Sequence, residues 1–314
     1  MYILTFARLP MSDKTLFVFA GVLLLAACGR SPQVDPVAYQ KEINDWRATR
    51  LTKVTGPEGW TTLVGLYWLK PGANRFGSAE SSDLRLASPG FPVLAGSFDF
   101  DGKNVSFSAA KDAPVTSGGQ AVSRLKLLTD ADPDPKAPTL LNLGSVSFYA
   151  IQRVDRYGVR VRDTQADARV HFKGLEYFPL DQHWRFEAKF IPYAPMKKIP
   201  IINILGMEED MDSPGAVEFN MDGKAYRLDT VLEQGETDYF VMFADQTSGK
   251  QTYGAGRFMY VKPPVDGVTV LDFNKSYNPP CTFSPYATCP LPPPQNRLPL
   301  AITAGELKYA GAAH

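Results

Sequence analysis

The residues best suited to chemistry cluster near the end of the chain. Between Leu271 and Tyr309, Asp272, Asn274, Tyr277, Asn278, Asn296, Arg297 and Glu306 stand among prolines and apolar residues, with Cys281 and Cys289. A carboxylate in a partly apolar cleft can serve as a general acid or base, which makes Asp272 and Glu306 the candidate catalytic residues. Arg257 follows Gly254-Ala255-Gly256, a stretch that permits close backbone approach. Its guanidinium is the natural partner of a carboxylate, either the protein's own or a ligand's. Arg162 and Tyr253 add a charge and an aromatic ring, so Arg162, Tyr253, Arg257, Asn274, Asn278 and Asn296 form the candidate ligand-binding set. The structural alternative is equally concrete. Pro279-Pro280 cannot donate backbone hydrogen bonds, and nearby Asn and Asp side chains would then serve the loop itself.

Cys281 and Cys289 are separated by seven residues. In an exported chain the default for such a pair is a disulfide closing a small loop, worth ~2–3 kcal/mol by loop entropy. Two buried thiols, a metal site and a catalytic thiol are the alternatives. The spacing is longer than the usual C-x(2–4)-C, and His171 and His183 are the internal histidines, so neither metal nor cofactor is expected. His183 lies beside Asp181 and Trp184, where a capping or packing role competes with catalysis. Neither P-loop, GxGxxG, nucleophile elbow nor HExxH is present.

These residues need a frame, and composition bounds it. At 314 residues, 44% hydrophobic and 21% charged, the chain can bury one large core or two ordinary ones. The formal net charge is zero, so nothing points to nucleic acid or to an electrostatically held anionic membrane. Thr15 to Ala27 is an apolar run of about 13 residues, too short for the ~20 that span a bilayer as a helix. Preceded by Lys14 and ending in small residues, residues 1–27 read as a secretory signal. Translation from Met11 in place of Met1 would give it a standard short positive region. Leu25-Ala26-Ala27-Cys28 resembles the lipobox of bacterial lipoproteins. The resemblance implies lipidation of Cys28, a membrane anchor, and, with Gly29 next, a place in the cell envelope at the outer membrane facing the periplasm.

Residues 28–36 form a tether. Val37 to Lys53 carries Tyr39, Ile43 and Trp46 on one face, with Asp35-Pro36 as cap and first-turn proline, which predicts a helix. Arg50 and Lys53 suit its C-terminal dipole. The rest is all-β in pattern. Gly59–Leu69, Ala73–Gly77, Leu84–Leu86, Gly96–Phe100 and Val105–Ser108 are short strands with turns between them, predicting a β-sandwich over 54–129. The Asp- and Pro-rich stretch Asp130 to Pro138 is the candidate boundary. A second antiparallel β-sandwich or barrel is expected over 139–309. It includes Trp184–Tyr193, Ile199–Leu205 and a hairpin turning at Asp222-Gly223, and the Pro-rich C-terminal segment serves as its cover loop.

The run Leu69 to Leu86, LKPGANRFGSAESSDLRL, resembles the opening of a forkhead-associated domain. The likeness spans about residues 65–108 and lacks that family's phosphothreonine-reading Gly-Arg and Ser-x-x-His elements. It therefore implies the sandwich without phosphopeptide binding. A longer resemblance, from Trp46 to Tyr309, is to the uncharacterised bacterial domain-of-unknown-function family 1684. It is carried by Gly59-Trp60, Leu63 to Leu69, Asn74 to Gly77, Phe178-Pro179, Thr252 to Phe258, Asp272-Phe273-Asn274, Tyr277 to Cys281, Cys289 to Pro293, Asn296 to Leu298, and Ala304-Gly305-Glu306. That resemblance implies an ordered cover loop and no particular activity. Three functions fit: an envelope lipoprotein binding a small molecule or envelope partner in a polar cleft near the C-terminal loop, a hydrolase using Asp272 or Glu306 with Arg257, or a structural envelope protein.

Overall fold

The computed structural model describes residues 34–311. The leader, Cys28 and their expected roles lie outside the described residues. Asp35 caps helix α1 (Pro36–Thr55), its Oδ1 accepting from the backbone N of Val37 and Ala38 at 2.9 and 2.8 Å. The helix buries Tyr39, Ile43, Arg50 and Val54, spaced to share one face. Arg50 stands near the C-terminal end of the helix, where it suits the dipole. It points into the protein, because the next turn of that face is covered by the C-terminal segment.

The first half of the chain forms strands β1 (Leu63–Trp68), β2 (Gly72–Gly77), β3 (Leu84–Arg85), β4 (Gly96–Phe100), β5 (Val105–Ala109), β6 (Thr116–Ser117), β7 (Gln120–Ala121), β8 (Arg124–Leu127), β9 (Leu141–Leu143), β10 (Val146–Arg153) and β11 (Arg156–Asp163). They make two sheets, ordered β1-β11-β10-β9-β6-β7 and β3-β2-β4-β5-β8. Alternating residues point inward from both, and Phe76, Phe98, Phe107 and Phe148 meet there as tilted and edge-on rings with centroids 4.8 to 6.0 Å apart. This is the expected sandwich, but it ends elsewhere. The hairpin β10–β11 pairs directly with β1, so the sandwich runs through Asp163 and the 130–138 loop is internal to it. Composition marks that loop as a linker, whereas strand pairing across it keeps both sides in one core.

The second half forms β12 (Arg185–Ile202), β13 (Glu208–Met221), β14 (Lys224–Asp229), β15 (Tyr239–Phe243), β16 (Arg257–Val261) and β17 (Val268–Asp272). One sheet is ordered β14-β13-β12-β17, and β15–β16 is a separate ribbon. The two strands expected within 184–205 are one long strand. Its register against β13 shifts between Pro192 and Lys197, where prolines 192 and 195 interrupt the ladder. The hairpin β13–β14 turns at Asp222-Gly223, both with positive φ, as its sequence predicts.

The segment after β17 is ordered by tertiary pairing. It consists of short 3-10 turns and single bridges: Tyr277 to Phe258, Pro290 to Asn203, Arg297 to Ala244, and Glu306 to Tyr177. Gly305 is required where it stands. Its φ is +80°, and a Cβ there would lie 2.1 Å from Ser276 Oγ. The covering residues Leu298, Ile302 and Ala304 complete the core of the second sheet. A third apolar cluster joins Leu63 of the sandwich to Ile199, Ile201, Phe240, Phe258, Cys281 and Cys289. No helix among the described residues is long and apolar enough to cross a membrane.

Candidate functional site

The predicted polar residues do not converge on one pocket: Asp272 with Asn274 and Glu306 with Asn278 fall in separate networks. Asp272 is buried at the end of β17, and both its carboxylate oxygens accept from Tyr39 Oη at 2.9 Å. Burial pushes its carboxyl pKa up against the opposing hydrogen bonds. Asn274 donates to Tyr39 Oη and to Asp181 O, at 3.0 and 2.8 Å. Together these residues dock the first turns of α1. Glu306, fully buried, takes Arg50 Nε at 2.8 Å on one oxygen and the Asn278 backbone N at 2.8 Å on the other. The Asn278 side chain donates to Leu307 O at 2.7 Å. Arg257 pairs with Asp245 at 2.6 Å and also donates to the carbonyls of Ile302 and Ala304. Asn296 bridges β14 and β15, donating to Asp229 O and Met242 O at 2.9 and 2.8 Å. Each serves a local network, as the structural alternative required. Arg162 lies over the Tyr149 ring, 5.2 Å from its centroid, and Tyr253 places its phenol against Cys281.

The expected disulfide is absent: Cys281 and Cys289 are free, buried thiols. The Cys281 backbone N donates to Cys289 Sγ at 3.0 Å, so the pairing is a hydrogen-bonded contact in place of a bond. No group of three or more His, Cys, Asp or Glu among the described residues is placed to hold a metal ion.

What the fold does build is a cleft of about 730 Å³ where its layers meet. This size suits a small molecule. Helix α1 contributes Trp46, Arg50 and Lys53. The sandwich contributes Gln152, Arg153 and Arg160, and the second sheet Ile201 and Met211. The ribbon contributes Phe240, Phe258 and Tyr260, and the cover loop Tyr277, Pro280 and residues 287–290. The walls are thus aromatic and aliphatic, with charges at fixed points.

Two of the arginines are paired. Arg153 is held by Asp130 through two hydrogen bonds, Nη1–Oδ1 at 3.0 Å and Nη2–Oδ2 at 2.8 Å. The 130–138 loop therefore reaches the cleft at its first residue. Arg50, besides Glu306, stacks 4.4 Å from the Tyr277 ring centroid. Tyr260 donates to the half-buried Glu233, whose carboxyl pKa burial raises.

Arg160 is different. It is 4% exposed, and its polar contact is Nη2 to Thr288 Oγ1 at 3.3 Å. Its Nε is buried without a partner. Among the described residues, no carboxylate lies within ion-pairing distance of it. Arg160, Arg153, Glu233 and Tyr260 belong to no functional motif in the sequence. The available signal was slight: an arginine between two valines of YGVRVRD, alternating with Arg162 on one strand face.

No curated protein matches the chain. Among solved structures, an uncharacterized protein of Haloarcula marismortui determined by solution NMR is 32% identical. The match covers 46% of this chain and 80% of that one, with a TM-score of 0.39. The FhaA FHA domain, solved in complex with the intracellular domain of Rv3910, is 16% identical over 31% of this chain and 97% of its own, with a TM-score of 0.22. Mycobacterium tuberculosis EmbR in complex with a low affinity phosphopeptide is 14% identical over 40% of this chain and 31% of its own, with a TM-score of 0.20. The sandwich described above rests on strand pairing alone. The family model described as "Protein of unknown function (DUF1684)" matches residues 170–307, which hold the second sheet, the ribbon and the cover loop. That match is narrower than the Trp46 to Tyr309 of the sequence resemblance, and the chain belongs to this family.

Proposed function

We propose that the chain binds, without turnover, a small molecule with an anionic group and an apolar body, held in the cleft between the sandwich and the cover loop. The observation that carries this reading is Arg160: a buried guanidinium in the cleft, with one neutral hydrogen bond and no carboxylate partner. Burying an uncompensated charge costs several kcal/mol. A bound carboxylate, sulfonate or phosphate would offset that cost, and the aromatic walls would take the apolar part. The lipobox-like Leu25 to Cys28 supports placing this binding at the cell envelope on a lipid anchor. Palmitate labelling that is equal in wild type and Cys28→Ala would remove the anchor from the proposal.

Anilinonaphthalene sulfonate, an anion with an aromatic body, is a suitable probe. Titration of the folded protein should show saturable binding that Arg160→Leu weakens by about tenfold or more, equivalent to about 1.4 kcal/mol. Arg124→Gln, on an exposed side chain of the sandwich, should leave it unchanged. Equal affinity in wild type and Arg160→Leu would sink the anion site and favour a structural envelope role.

A further inference from the structure

The two thiols lie where a redox site could operate. Cys281 and Cys289 are each 4% exposed, and the loop between them is held from outside. Ile204 N donates to Cys289 O at 2.9 Å, Leu291 N to Ile202 O at 2.8 Å, and Ser284 Oγ to Leu63 O at 3.1 Å. The contact between the sulfurs is therefore set by the tertiary structure. Cys289 lines the cleft, which gives a small solute a path to the pair.

Their surroundings differ in a useful way. The Cys289 side chain, foremost, and the Tyr253 phenol support negative charge on Cys281 and draw its pKa below the ordinary thiol value against its burial. Burial, foremost, and the Cys281 sulfur push Cys289 up, with the Cys281 backbone N–H and Arg160 opposing. A thiolate-prone sulfur beside a protonated one is the arrangement of an attacking and a resolving cysteine.

We propose that Cys281 and Cys289 are a peroxide-reactive dithiol, with Cys281 attacking and Cys289 resolving. The Cys281 thiolate attacks one peroxide oxygen and the O–O bond breaks, leaving a sulfenic acid and hydroxide. The Cys289 thiol then loses its proton and attacks the Cys281 sulfur. The S–O bond breaks, water leaves, and a disulfide forms. Two thiols are oxidised by two electrons and one hydrogen peroxide is reduced to two waters. Burial of both residues beside the cleft favours a small peroxide over a bulky disulfide as the oxidant. This site stands whether or not the cleft takes an anion.

The full-length protein is treated with hydrogen peroxide, folded and in denaturant, then alkylated and peptide-mapped. The folded chain should yield a Cys281–Cys289 cross-link about tenfold faster than the denatured chain, since thiolate fraction and proximity both favour it. Cys289→Ser should accumulate a sulfenic acid at Cys281 that dimedone traps, whereas Cys281→Ser should trap none. Tyr253→Phe should slow cross-linking about threefold, through a smaller thiolate fraction. A cross-link that forms more slowly in the folded chain would reduce the pair to ordinary buried thiols and overturn the proposal. Trapping at Cys289 in Cys281→Ser would overturn the assigned roles.

Discussion

Three arginines buried among the described residues are compensated in two different ways. Arg257, beneath the cover loop, and Arg50, which itself lines the cleft, are each matched by a buried carboxylate and by backbone carbonyl oxygen. Arg160, in the wall of the cleft, has a threonine hydroxyl and an unsatisfied Nε. The same side chain is thus spent on holding the fold in one place and left uncompensated in the other. A buried charge without a partner is costly to the fold, which sets Arg160 apart from the two paired arginines. The comparison separates scaffold from site better than residue type does.

That contrast can be broken by substitution. Asp245→Asn should have the largest effect, because it leaves Arg257 buried against carbonyls alone. We expect a loss of about 4 kcal/mol, read as a lower urea midpoint. Glu306→Gln should cost about 3 kcal/mol by the same assay, since Arg50 keeps Asn278 O and the Tyr277 ring as partners. Arg160→Leu should move the other way and raise stability by about 1 kcal/mol, while anion binding falls. If Arg160→Leu proves as destabilising as the other two, the distinction collapses and Arg160 joins the scaffold.

The smallest effect concerns pH. Burial raises the Asp272 carboxyl pKa, so from about pH 4, the ordinary aspartate value, upward the folded state holds more protons than the unfolded one. Stability contributed by this group is therefore present below that value and is lost as pH rises through the folded pKa. Asp272→Asn should flatten this part of the stability profile, measured by urea unfolding at stepped pH. An unchanged slope would place the titration elsewhere.

Much of the frame was readable along the chain. The helix of Val37 to Lys53 extends only slightly, to Pro36–Thr55, because its cap and apolar spacing are local signals. The Asp222-Gly223 hairpin is likewise a local signal. Asp130 to Pro138 is no boundary: a loop rich in Asp and Pro looks the same inside a sandwich as between domains. Only the pairing of β1 with β11, almost a hundred residues apart, decides it.

The functional residues divide the same way. Sequence alone determined that Asp272, Asn278, Asn296 and Glu306 stand among prolines that cannot supply donors, and that Cys281 and Cys289 share one loop. Tertiary structure decided what each does, because hydrogen bonding and ion pairing depend on which distant group arrives. Glu306 meets Arg50 from 256 positions away, and Arg257 meets Asp245, so neither is free for substrate. Arg160 acquires its significance from something no stretch of sequence records: packing buries it and brings no carboxylate of the described residues within ion-pairing reach.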